Sequence, residues 1–215
     1  MGAIIFVVVG IRVLLIQQRL VNVQNRPEFE ANHDVLTGLW NRRPVFECLD
    51  RELGRQRRNG HSIGLIMTDL DHFKSINDTY GHTVGDQVLA EIARRVMSSL
   101  RVYDSAGRYG GEEFLIIVPE CNAQQTFASA ERLRQTVETS AVSSRSGPIK
   151  VTVSIGLIST NGSAQGLDAN MLLRLADEAL YSAKARGRFR VECAYWWAEE
   201  SREGPGLDPI TQPST

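Results

Sequence analysis

The 215-residue sequence is poor in cysteine. Cys48, Cys121 and Cys193 form an odd, scattered set without a CxxC pair. That argues against a disulfide framework or a thiolate zinc site and fits a reduced, cytosolic chain. Charge of one sign is also lacking, with 24 Lys and Arg against 25 Asp and Glu. No long-range pull toward nucleic acid follows, so nucleic acid is not an expected partner, and any polyanion must be held by a local cluster. There is no GxxxxGK[ST] loop and no GxGxxG, which excludes a P-loop enzyme and a Rossmann protein. No internal repeat is present, and no apolar run reaches the roughly 20 residues of a spanning helix. The longest, "AIIFVVVGIRVLLI" (Ala3 to Ile16), contains Gly10 and Arg12.

What is there suits one domain of about 150 residues with extensions at both ends. A hydrophobic fraction of 42% is enough for an ordinary core. Three readings of Ala3 to Ile16 stay open: the cytoplasmic end of a truncated span, a short anchor, or an amphipathic helix on a partner. Arg12, Arg19 and Arg26 follow the apolar part and would leave the remainder cytoplasmic, either free or tethered to the inner face of the cell membrane. Residues 1–33 thus form an apolar segment and a polar helical connector interrupted at Pro27. Residues 34–195 form the domain proper, and residues 196–215, with Pro205, Pro209 and Pro213, a disordered tail.

Within the domain, strands and helices alternate. Val45, Leu49 and Leu53 mark a helix over "RRPVFECLDRELGRQRRN", and "SIGLIMTDL" is a nearly continuous apolar strand. Val88, Ile92, Val96 and Leu100 mark a second helix. "GRYGGEEFLIIV" reads as two strands joined across Gly110 and Gly111, a pair suited to a primed hairpin turn. A helix over Ala123 to Thr139, the strand "IKVTVSIGLI", the helix "NMLLRLADEALYSAKARG" and the strand "RFRVECAYWW" complete the pattern. This predicts an α/β sheet covered by helices, an α+β sandwich rather than a β-sandwich or a bundle.

Two acidic groups stand at strand ends. Asp69 closes the "SIGLIM" strand, and Glu112 and Glu113 sit at the tip of the expected hairpin. Taken alone, the Asp69 loop reads as turn chemistry. If the two tips are neighbours, several carboxylates converge, which is unfavourable without a cation, and hard oxygen ligands select magnesium or manganese. Lys74 lies five residues after Asp69 in the same loop, and Lys184 and Arg188 share one face of the last helix or its immediate end. The latter pair would also suit a helix C-terminus. Carboxylates, a divalent metal and several cations together describe phosphoryl or nucleotidyl transfer.

Five blocks carry a resemblance: "DVLTGLWNRR", "DLDHFKSINDTYGHTVGD", "RYGGEEF", "VSIGL" and "ADEALYSAKARGR". In order and spacing they resemble the GGDEF-domain diguanylate cyclases, over about Asp34 to Val191. The resemblance implies a palm-like mixed sheet flanked by helices, similar to class III nucleotide cyclases. It implies condensation of two GTP into cyclic di-GMP by a homodimer. Asp69, the carbonyl of Leu70 and Glu112 would be ligands of Mg2+ or Mn2+, and Glu112 and Glu113 would help remove the 3′-hydroxyl proton. Lys74, Lys184 and Arg188 would hold phosphates, with Lys74 also stabilising transition-state charge. Asn77 and Asp86 would read guanine beside His82. Gly110 and Gly111 belong to the substrate site, and Phe73 and Leu65 would pack near the nucleotide. Arg101 and Asp104 of "RVYD", with Arg132, would form a site where product binds and inhibits. The family's Asn after the last "GR" is replaced by Phe189, where a packing change is expected. The alternative function is a catalytically silent cyclic di-GMP receptor that uses the RxxD site alone.

Overall fold

Eight consecutive buried residues, Ile63–Leu70, form the central strand of the fold. The chain around it is seen in a computed structural model that describes residues 29–160 and 166–194. The expectations for Ala3 to Ile16, for the connector up to residue 28 and for the tail therefore lie outside the described residues. Among the described residues no helix is long and apolar enough to cross a membrane.

After a helical turn at 29–32 the order is α1 (Arg42–Asn59), β1 (Ile63–Leu70), α2 (Phe73–Tyr80), α3 (His82–Ser99), β2 (Ser105–Arg108) and β3 (Glu113–Pro119). Then come α4 (Ala123–Glu138), β4 (Val142–Ser144), β5 (Gly147–Ile149), β6 (Val153–Ser159), α5 (Ala169–Ala185) and β7 (Val191–Cys193). Five strands make one mixed sheet in the order β2-β3-β1-β6-β7, and β4-β5 is a separate hairpin. β1 is antiparallel to both neighbours, and only β6 and β7 run parallel.

The period-two alternation of strands divides the core into two layers. Ile66, Leu70, Phe114, Ile116, Val118, Ile155 and Leu157 face one way and pack with α3 and α4 through Val88, Ile92, Ala130 and Leu133. Leu65, Met67, Leu115, Ile117 and Ile158 face the other way and pack with α1 and α5 through Leu49, Leu53, Leu172 and Leu180. Each fully buried aliphatic or aromatic side chain contributes roughly 1.5–3 kcal/mol, so the layers hold the sheet rigidly between two helix pairs. Helix starts follow the local chemistry. Asn122 and Gln125 form a reciprocal capping box at α4, and Asp168 accepts the Met171 N–H at α5.

Three sequence expectations need correction. Lys74 is not in a loop: residues 73–80 form a helix, because Phe73 and Ile76 lie one turn apart and are buried on the α3 side. The strand expected over "IKVTVSIGLI" splits, with Ile149 ending the small hairpin and β6 starting at Val153. The expected primed turn is also absent. Tyr109 to Glu112 form a four-residue connection in which neither Gly110 nor Gly111 has positive φ. Gly110 answers to space instead, since an added Cβ there would collide with the Glu113 carboxylate folded over it.

Gly156 shows how closely the layers approach. A Cβ at this position would run into the backbone of α5 at Ala176 and Leu180. Backbone cannot rotate aside as a side chain can, so Gly156→Ala should destabilise the fold by about 3 kcal/mol or more. Urea denaturation of wild type and variant measures it.

Candidate active site

The antiparallel pairing of β1 with β3 sets Asp69 directly opposite Glu113, and the Leu70 N–H donates to the Glu112 carbonyl at 3.3 Å. The hairpin tip and the end of β1 are therefore one place. Asp69 follows Leu65 and Met67 on the face covered by α5, and Lys184 on that helix donates to Asp69 Oδ2 at 2.7 Å. Burial pushes the Asp69 carboxyl up; the Lys184 contact opposes this, and Asp71 adds to it. The Glu112 and Glu113 carboxyls are pushed up too, first by burial and then by the charge of Asp69. Lys184 thus offsets only part of the accumulated negative charge. The arrangement is short of positive charge.

Among the described residues no three His, Cys, Asp or Glu side chains gather closely enough to make a complete metal centre. Two carboxylates and one backbone carbonyl are a partial set of hard oxygen donors. Such a set fits a divalent cation that takes its remaining ligands from water and substrate phosphates.

The other predicted residues fall into two groups. Lys74 and Asn77 share one face of α2, and the Asn77 side chain lies against Gly85, where a Cβ would collide with it. Asn77 Oδ1 is buried and has no hydrogen-bond partner. Asp86 follows Gly85 on α3, and His82 opens that helix; both are exposed. Arg188 is exposed, and its charge reaches Asp69. Phe73 and Leu65 do not share a pocket, because Phe73 is buried in the α3 layer and Leu65 in the α5 layer.

Arg101, Asp104 and Arg132 come together elsewhere. Asp104 Oδ2 accepts the Arg101 N–H at 2.8 Å, and the Arg101 guanidinium lies 3.8 Å from Cys121 Sγ. Arg132 donates to the Ser99 carbonyl at 3.2 Å. Burial raises the Cys121 thiol, which also feels the charges of all three residues. Four residues of β2 separate this cluster from the hairpin, a length of roughly 13 Å.

Several site residues escaped the sequence reading. Arg108 donates to the Gly111 carbonyl at 2.7 and 3.1 Å and pairs with Asp34 at 3.0 Å, so it fixes the hairpin tip to the start of the domain. Arg42 stacks 4.6 Å over the Tyr109 ring and is felt by Glu113. Asp71 accepts hydrogen bonds from Thr152, Ser154 and Phe189. Only the presence of Arg108 and Asp71 inside quoted blocks could have flagged them; Asp34 is 74 positions from Arg108, and the side-chain partners of Asp71 are 81 or more positions away.

The profile described as "GGDEF: Diguanylate cyclase, GGDEF domain" matches residues 31–190. The chain therefore belongs to the GGDEF-domain family, and its mixed sheet between helix pairs is the cyclase palm fold. It is 40% identical over 164 residues to diguanylate cyclase DosC of Escherichia coli K12, covering 76% of this chain and 35% of that one. It is 43% identical over 160 residues to response regulator PleD of Caulobacter vibrioides, covering 74% and 35%. The chain thus spans about a third of the length of these curated relatives. The crystal structure of the GGDEF domain of DgcB from Caulobacter crescentus in complex with c-di-GMP superimposes with a TM-score of 0.71 at 36% identity. It covers 76% of this chain and 95% of that one.

Raised carboxyl pKa values have a definite sign. A carboxyl harder to ionise when folded stabilises the fold below its unfolded pKa, and that stability falls as pH rises through the folded value. Without divalent cations, melting temperature should fall as pH rises just above the ordinary carboxylate range. Added Mg2+ should restore it, and Asp69→Asn should flatten both effects. Thermal melts across that pH interval, with and without Mg2+, provide the check.

Proposed function

We propose that this domain is an active diguanylate cyclase that joins two GTP into cyclic di-GMP and releases two pyrophosphates. The observation that supports it most is the convergence of Asp69, Glu112 and Glu113 at one sheet end, incompletely neutralised, beside Lys184 and Arg188. Diguanylate cyclases of this family generally use divalent metal ions; here the cation would be Mg2+ or Mn2+, held by Asp69, Glu112 and the Leu70 carbonyl. It would supply charge neutralisation on the triphosphate.

The chain's own groups do the remainder. Lys74, Lys184 and Arg188 grip phosphates, and Lys74 meets charge that develops as the bond from α-phosphorus to the leaving pyrophosphate breaks. Glu112 or Glu113 takes the proton of the 3′-hydroxyl as its oxygen bonds to that phosphorus. Asn77 and Asp86, at the α2–α3 junction, offer acceptors to the N1–H and N2–H2 edge of guanine, donors that adenine lacks. Gly111 leaves room over the hairpin tip, Gly110 lets the Glu113 carboxylate fold across it, and Phe73 backs α2 from the core. One site of this kind holds one GTP, while the product is two-fold symmetric. Two copies must therefore face each other as a homodimer, each 3′-hydroxyl reaching the α-phosphate held by its partner.

Arg101, Asp104 and Arg132 would bind the product, with arginine gripping a phosphate and stacking on guanine. Bound product would favour an unproductive arrangement over the closed dimer. The same cluster supports the second reading, a silent cyclic di-GMP receptor.

Incubation with GTP and Mg2+, with the product identified by mass, separates the two: product binding without turnover would leave only the receptor. Glu112→Gln should keep the fold and lower turnover by about three powers of ten; near-normal turnover would remove Glu112 from the metal set. Specific activity should rise with protein concentration. In full progress curves with added cyclic di-GMP, Arg101→Ala should relieve late slowing while the initial rate stays near wild type. Identical slowing of both proteins would reduce "RVYD" to a surface ion pair.

A further inference from the structure

Asp71 is buried and has no part in the chemistry above. Its carboxylate accepts from Thr152 Oγ1 at 2.7 Å, from Ser154 Oγ at 2.6 Å and from the Phe189 N–H at 3.2 Å. The first two bonds tie the end of β1 to the start of β6. The third reaches the turn after α5, where Gly187, Arg188 and Phe189 all have positive φ, at 109°, 65° and 50°. Glycine adopts that region freely, but an arginine and a phenylalanine there are strained. Strain of this kind persists only where the surroundings over-determine it.

Two contacts from separate elements do so. Asp71 holds the Phe189 N–H, and the Arg134 guanidinium of α4 lies 4.3 Å over the Phe189 ring. Arg134 is itself fixed, paired with Glu131 at 2.9 Å and its side chain only 16% exposed. On the other side, the Arg188 N–H donates to the Ala183 carbonyl at 3.0 Å and anchors the turn to the helix end. The Arg188 backbone is therefore gripped before and after, while its side chain stays exposed with its charge reaching Asp69.

We propose that Asp71 and Arg134 are positioning residues that clamp the Gly187–Phe189 turn in its left-handed conformation, so that Arg188 is presented to the substrate phosphates beside Asp69. This rests on the reading of Lys184 and Arg188 as triphosphate ligands. Without the clamp the turn relaxes, and Arg188 must be ordered anew by each GTP that binds.

The test measures initial rates against GTP with Mg2+, and binding of a non-hydrolysable GTP analogue by calorimetry. Asp71→Ala should raise KM and the analogue's Kd by about tenfold, with a smaller effect on kcat. Asp71→Asn should recover most of the loss, because its amide oxygen can still accept the Phe189 N–H while its NH2 donates to Ser154. Arg134→Ala should raise KM by about threefold. Combined with Arg188→Ala, either variant should add little, since both act through Arg188. Additive losses in the double variants, or unchanged KM in the single ones, would overturn the clamp. If Asp71→Ala does not fold, the Arg134→Ala and Arg188→Ala cycle decides alone. A wild-type protein that binds no GTP analogue overturns the nucleotide reading and the clamp with it. One that binds the analogue with the affinity of its clamp variants overturns the clamp only.

Discussion

Asp69 sits at the end of a strand buried on both faces, and the same strand that removes it from water places Glu113 directly opposite. Burying one carboxylate is costly, and a second beside it adds repulsion. Lys184 supplies one positive charge at 2.7 Å, and the three carboxyls remain harder to ionise than usual. The cations at and after the end of α5, Lys184 and Arg188, oppose that unfavourable field.

The sheet topology makes the concentration of charge possible. Because β1 is antiparallel to both β3 and β6, the start of β3 and the start of β6 lie at the end of β1. A hairpin tip, a strand end and the loop before β6 therefore share one corner without any long excursion of the chain. In an all-parallel sheet the same corner would collect only strand ends followed by helices. Asp71 uses the third of these elements, and Arg108 ties the first to Asp34 at 3.0 Å. Burial alone would raise Asp34, but Thr37 and Arg108 outweigh it and hold the carboxyl ionised.

The two clusters the fold keeps apart have different electrostatics. At the hairpin end carboxylates outnumber cations and their pKa values rise. At the opposite end of β2, Arg101, Asp104 and Arg132 surround the Cys121 thiol with two positive charges and one negative. One end thus carries an excess of negative charge, and the other a slight excess of positive charge.

What the sequence by itself determined was local and patterned. The apolar run of β1, the helical spacing of Val45, Leu49 and Leu53, and the glutamates before β3 are visible because burial imposes periods of two and 3.6 on neighbouring residues. Five motif blocks in order then pointed to the GGDEF family and its palm fold. Tertiary structure decided everything that depends on residues far apart. Helix α2 exists because Phe73 and Ile76 find the core, against a run of Asn, Asp and Gly that reads as loop. Gly110 has no positive φ, and the space beside it is taken by the Glu113 carboxylate. Phe189 keeps a left-handed backbone because Asp71 and Arg134, 118 and 55 residues earlier, hold it there. No period or spacing can encode such contacts, since they arise only after the chain has closed on itself.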